Sequence, residues 1–129
     1  MPPMHQMSCF WTAICAKIPG MKKHQPQTVI AALQSVNCLV TDVTWNGQAF
    51  SKKQMEENME WVKSYAPKSF NQGHDTSICD PFLALLAQVF RLEIHHAYTG
   101  FKNVVHPVVY KHSAAQQTVR FSSTTGHFQ

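Results

Sequence analysis

Apolar residues recur at helical spacing through the first two thirds of the chain and at alternating spacing through the last third. Phe10, Trp11, Ile14, Cys15 and Ile18 fall three and four positions apart. That spacing predicts an amphipathic helix over residues 9–18, capped by Ser8 and stopped by Pro19-Gly20. After the polar connector MKKHQP, Val29, Ala32, Leu33 and Val36 define one face of a second helix over residues 28–36. Residues 38–45 are rich in β-branched side chains and run into Asn46-Gly47, a strong turn pair, so a strand is expected there. Ser51 and Gln54 form a capping-box pattern that opens a helix through Met55, Met59 and Val62 to about Tyr65. The stretch APKSFNQGHDTS reads as a loop, and Asp80-Pro81 reads as a cap followed by proline at the first helical position. The next segment, FLALLAQVFR, is apolar on nearly every side and is expected to be the buried central helix.

The period then changes. Leu92, Ile94 and His96 alternate with less apolar neighbours. Val104, Val105, Val108, Val109 and Tyr110 make a second β-rich run broken by Pro107, and residues 118–121 make a third. Helices first and an antiparallel set of strands afterwards describe an α+β fold. A chain of 129 residues without an internal repeat is expected to form one domain over residues 1–129.

Composition narrows the classes. With 44% hydrophobic and 14% charged residues, the chain is too apolar for a disordered segment. Eleven Lys and Arg against seven Asp and Glu give a net charge of +4, and the longest basic run is Lys22-Lys23-His24, so the sequence makes no positive case for nucleic acid. No segment reaches the roughly 18 apolar residues of a membrane span, and MPPMHQMSCFW lacks the charged start and apolar core of a secretory signal. The four cysteines, Cys9, Cys15, Cys38 and Cys79, form no CxxC pair, which points to free thiols in a reducing compartment.

Two residues carry the candidate chemistry. Cys9, placed in the first turn of a helix, would meet unpaired N–H groups and the positive dipole end, which favour a thiolate and can hold an oxyanion. The competing reading is a packing thiol, the role expected of Cys15 and Cys38. His127 follows the turn Thr124-Thr125-Gly126 and precedes Phe128, so it begins a short strand and can act as general base for a thiol. His95-His96 resemble a metal pair, but adjacent strand residues point to opposite faces, and no further ligand lies at zinc spacing. No metal and no cofactor are expected.

Ser8-Cys9-Phe10-Trp11 leading into a helix resembles the nucleophile motif of the ovarian-tumour (OTU) cysteine peptidases. Asp80-Pro81 with FLALLA, continuing VFRLEIHHAY, resembles that family's second core helix and its following strand. TVRFSSTTGHF is similar to its closing strand, loop and His–aromatic pair. The resemblance covers nearly the whole chain and implies a papain-like fold with the nucleophile at a helix N-terminus packed on a small, mainly antiparallel sheet. It assigns Cys9 as nucleophile and His127 as general base, with the backbone N–H groups of Gln6 and Cys9 as oxyanion donors. Two positions depart from the pattern. Gln6 stands where the family has Asp, and Gln129, two residues after the histidine, stands where it often has Asn or Asp. The third member is thus Gln129, an acid from elsewhere in the chain such as Asp42 or the helix-capping Asp80, or absent, leaving a Cys–His dyad. Trp11 and Phe128 are candidate walls of a narrow substrate channel, with core packing the alternative.

The resemblance implies a thiol peptidase acting on ubiquitin or ubiquitin-like conjugates and on its own polyprotein. Its expected setting is a compact viral or divergent member, monomeric, working in the cytoplasm (the host's, if viral). Two alternatives stand beside it: a papain-like polyprotein protease without deubiquitinase activity, and an inactive OTU-like module that binds a partner.

Overall fold

A computed structural model describes residues 5–22, 24–65, 80–124 and 127–129. Among these residues four α-helices and six strands follow in chain order: α1 (His5–Lys17), α2 (Pro26–Ser35), β1 (Val43–Trp45), β2 (Gln48–Ala49), α3 (Lys52–Ser64), α4 (Pro81–Phe90), β3 (Leu92–Thr99), β4 (Val105–His112), β5 (Gln117–Thr124) and β6 (His127–Phe128). The class is α+β. The expected loop over residues 66–77 lies outside the described residues.

Local chemistry explains most of the element ends. Pro26 occupies the first turn of α2, so this helix begins earlier than its apolar pattern suggests. Its buried stripe is Val29, Ile30 and Leu33, with Val36 left 47% exposed beyond the helix end. The capping box at Ser51 is complete: its hydroxyl accepts from the Gln54 N–H, and the Gln54 side chain accepts from the Ser51 N–H. Asp80 caps α4, one carboxylate oxygen accepting from the N–H groups of Phe82 and Leu83 at 2.8 and 3.1 Å. At the far end Arg91 turns left-handed (φ 55°), and β3 starts at the next residue.

α4 is the hub, as its all-round apolarity predicts. Phe82, Leu83, Ala84, Leu85, Leu86 and Ala87 are all buried, and the helix packs on β1, β3 and β4 and against α2 and α3. α1 contributes Phe10, Trp11, Ala13, Ile14 and Cys15 to the same core.

The sheet runs in the order β2-β1-β4-β3-β5-β6. Four of its pairings are antiparallel, but β3 and β5 at its centre are parallel, with Leu92 level with Gln117 and Thr99 with Thr124. The expected antiparallel set is therefore a mixed sheet. The chain leaves β4, passes the start of β3 and enters β5 on its other side, which forces β5 antiparallel to β4 and parallel to β3. The expected strand over residues 38–45 shortens to Val43–Trp45. Asn46 and Gly47, with φ of 50° and 84°, then close the tight hairpin to β2.

Pro107 does not break its strand. β4 runs through it, with Pro107 level with Ala97. Val109 accepts from the Asn46 backbone N–H and donates its own N–H to the Asn46 side-chain oxygen, so its polar groups face the β1 side. Pro107, two residues earlier, faces that same side, where β1 pairs only with residues 110–112. Its missing N–H falls on an unpaired edge and costs no ladder bond.

Candidate active site

α1 begins four residues before the expected start, so Ser8 lies inside the helix and Cys9 is its fifth residue. This corrects the placement of Cys9 in the first turn. Its backbone sits about 6 Å along the axis from His5. The dipole effect fades within the first turn, so α1 offers the Cys9 thiol less help than a cap position would. The oxyanion assignment changes too. Only the first few N–H groups of a helix lack an intrahelical acceptor. Cys9, with four helical residues before it, does not belong to that set.

His127 opens β6, the last strand of the sheet, level with Thr124. Phe128 is level with Ser123, and Gln129 exchanges two backbone hydrogen bonds with Ser122, at 2.7 and 2.8 Å. Opposed residues of an antiparallel pair share a face, so positions 127 and 129 stand on the face of Thr124 and Ser122, and Phe128 stands on the core face. Both backbone groups of Gln129 are thus held by Ser122. A cavity of about 230 Å³ opens beside it, lined by Thr99, Ser122, Ser123, Thr124 and Gln129.

The two candidate elements meet. α1 packs on β6, and the Phe10 ring lies 4.8 Å from the Phe128 ring. Cys9 and His127 are each one residue before a member of that pair. The Cys9 thiol and the His127 ring themselves lie outside the described part of the structure, as does Cys79.

Trp11 and Phe128, the candidate channel walls, are core residues. Trp11 is fully buried, edge-on to Phe10 and Phe82, with its indole N–H donating to the Tyr65 hydroxyl at 3.3 Å. Phe128 is 4% exposed and packs on Phe10, Phe121 and His96. Packing, the alternative kept for both, is what the structure shows.

Asp80 and Asp42, the two acids considered as a third member, are engaged elsewhere. Asp80 caps α4 and donates its own N–H to the Tyr110 hydroxyl at 2.7 Å. Asp42 accepts from the Gln88 side chain at 3.0 Å and lies 4.0 Å from His112.

The histidine pair splits as the strand period requires. His96 is buried, 2.7 Å from the Ser123 hydroxyl and 5.0 Å from the Phe128 ring. His95 faces the other way, 2.6 Å from Glu93. Among the described residues no cluster of three metal-ligating side chains occurs. The sequence set His96 on the strand alternation, and the structure adds its contact with Phe128 of the candidate strand. Its position on the inward alternation of Leu92 and Ile94 marks it as a core histidine that must find a partner.

Cys15 is buried and Cys38, expected to be buried, is half-exposed. Burial pushes both thiols up from their ordinary value, and the Asp42 carboxylate adds to the rise at Cys38. Neither is poised as a nucleophile. No helix among the described residues is long and apolar enough to cross a membrane.

Comparison with protein-family models, characterised proteins and solved structures finds no match to this chain.

Proposed function

We propose that this chain is a thiol peptidase of the OTU type, with Cys9 as nucleophile and His127 as general base, cleaving ubiquitin or ubiquitin-like conjugates. The observation that carries the reading is the contact of Phe10 with Phe128, which joins the Cys9 helix to the His127 strand from opposite ends of the chain. The choice of ubiquitin rests on the three sequence segments named above.

In the reaction, His127 takes the Cys9 proton and the thiolate attacks the carbonyl carbon of the conjugate's terminal glycine. The carbonyl oxygen becomes an oxyanion, and first-turn N–H groups of α1, Gln6 among them, donate to it. His127 returns the proton to the lysine amine as the C–N bond breaks. Water, deprotonated by His127, then attacks the thioester and releases the free carboxylate and the thiol. With Cys9 in the second turn, the imidazole carries most of the thiol activation. Self-processing of a polyprotein uses the same steps on a peptide bond.

The test is an electrophilic ubiquitin probe. Wild type is expected to form a covalent adduct at Cys9, and Cys9→Ala and His127→Ala are expected to form none while keeping the wild-type fold. An unlabelled Cys9 in folded wild type overturns the reading. The second-turn position of Cys9 favours one other reading, an inactive partner-binding module, which would bind ubiquitin without forming the adduct.

A further inference from the structure

The outer face of the sheet holds charged groups that the Cys9–His127 chemistry does not use. His95 of β3 stands level with Arg120 of β5, and Ala97 with Ser122. The small pair, Ala97 and Ser122, leaves a hollow beside the large one. The resulting cavity of about 340 Å³ is lined on its basic side by Lys17, His95 and Arg120. Lys17 reaches it from the end of α1, its ammonium donating to the Arg120 carbonyl at 2.7 Å and lying 5.1 Å from the Phe121 ring centroid.

The charge balance there is positive. Glu93 brings a carboxylate near, and it already faces His95 at 2.6 Å and Lys111 at 3.9 Å. Among the described residues no carboxylate pairs with Arg120 or Lys17. The field of Arg120 nonetheless reaches Glu93 and, after the stronger pull of His95, helps hold its carboxyl below the usual range.

Two further features shape the ligand. Ser122 also lines the cavity that holds Gln129, so the two hollows form a trough along β5 with hydroxyls on its floor. β6 pairs with β5 only from Ser122 onward; at Arg120 no described strand covers that side of β5, and the Lys17 ammonium takes the Arg120 carbonyl there. A basic hollow running along a strand suits an extended peptide lying beside it. The guanidinium fork matches a carboxylate with two parallel hydrogen bonds.

We propose that this trough binds an extended peptide segment bearing an acidic side chain, with the carboxylate held between Arg120 and Lys17. The proposal is independent of whether Cys9 is a nucleophile, so binding is measured on the Cys9→Ala protein. The probe is a fluorescent peptide of alternating Glu and Thr, compared with its Gln-for-Glu twin by anisotropy. The Glu peptide is expected to bind about tenfold tighter, or about 1.4 kcal/mol, with the preference shrinking as salt rises. Arg120→Gln, at an exposed position, is expected to remove the preference at unchanged thermal midpoint, and Lys17→Gln to remove it with the small fall that loss of its bond to the Arg120 carbonyl brings. Lys53→Gln, on the exposed face of α3, is expected to leave it intact. Equal binding of the two peptides, or binding of neither, overturns the proposal. So does an oligouridylate of equal charge that binds more tightly than the Glu peptide through Arg120.

Discussion

The Phe10 ring lies 4.8 Å from the Phe128 ring at an interplanar angle of 54°, so the first helix and the last strand close on each other. Phe10 is also edge-on to Trp11, which is edge-on to Phe82 of α4. One aromatic chain thus runs from the strand of His127 through the helix of Cys9 to the central helix. Both candidate catalytic residues depend on it for position without belonging to it.

Phe128→Ala removes a buried ring from that chain and is expected to cost about 3–5 kcal/mol, the usual range for such a truncation. Phe128→Leu, which keeps most of the apolar volume, should cost less and leave the protein folded. The diagnostic measurement is reaction with the ubiquitin probe at a temperature where Phe128→Leu is fully native. A slower adduct there, with unchanged circular dichroism, is the expected result. An adduct rate equal to wild type would show that β6 is positioned without this contact.

The elements that depend on near-neighbour chemistry were legible in the sequence. The Ser51–Gln54 box, the Asp80-Pro81 cap and the Asn46-Gly47 turn each involve groups within a few residues, and each occurs where expected. Pairing order was not legible. The parallel match of β3 with β5 depends on which side of β3 the chain passes after His112, and nothing in the alternation of either strand encodes that. Pro107 misled for a related reason, because a proline is harmless or disruptive according to whether a neighbour faces its missing N–H. At the candidate site the apolar spacing of α1 begins at Phe10 and carries no mark of the extra turn before it. The early start at His5, and with it the second-turn position of Cys9, was therefore hidden.

Alkylation should rank the described thiols by access and acidity. Cys15 is buried and its thiol is pushed up by desolvation, so at neutral pH it is expected to resist iodoacetamide in the native state. Cys38 is half-exposed and raised by burial and then by Asp42. Asp42→Asn removes that negative charge, lowers the thiol toward its ordinary value and is expected to speed Cys38 labelling. Mass spectrometry of native protein should find Cys9 modified before either. Modification of Cys15 first would contradict the packing described for α1.

Tyr65 should titrate late. Burial, with a smaller push from Asp80, raises its hydroxyl to about 12, against the opposing hydrogen bond from Trp11. Its folded value lies above the unfolded one, so its stabilising contribution is complete below about pH 10. It is lost as the pH climbs through the folded value. Tyr65→Phe is expected to remove one late step from the phenolate absorbance titration and to flatten the alkaline fall in stability. A phenolate step for Tyr65 at its ordinary value would mean that its hydroxyl is solvated.

The Asp80 cap joins α4 to the sheet as well as to its own first turn. Asp80→Ala loses the two bonds to Phe82 and Leu83 and is expected to cost about 1–2 kcal/mol in urea unfolding, whereas Asp80→Asn keeps an acceptor and should cost less. Tyr110→Phe takes away the hydroxyl that accepts from the Asp80 N–H at a buried position. An unsatisfied buried donor costs about 1–3 kcal/mol. The two changes share one residue, so their effects should not add, and a double mutant that is simply additive would refute the coupling.

Gln129 separates a backbone role from a side-chain role. Its N–H and carbonyl bond Ser122 on both sides, and those bonds survive Gln129→Ala. A neutral amide oxygen can orient an imidazole by accepting from its N–H, but it lacks the charge to stabilise imidazolium. Gln129→Ala is therefore expected to lower turnover of a ubiquitin-fused fluorogenic substrate only several-fold, with the thermal midpoint nearly unchanged. Gln129→Pro deletes the N–H that donates to Ser122, and should loosen β6 next to His127. Its loss should be the larger of the two, with a drop in stability of about 1 kcal/mol for the missing bond. The comparison decides the role: if Gln129→Ala were as inactive as His127→Ala while remaining folded, the amide would be a full member of a triad and the dyad reading would fail.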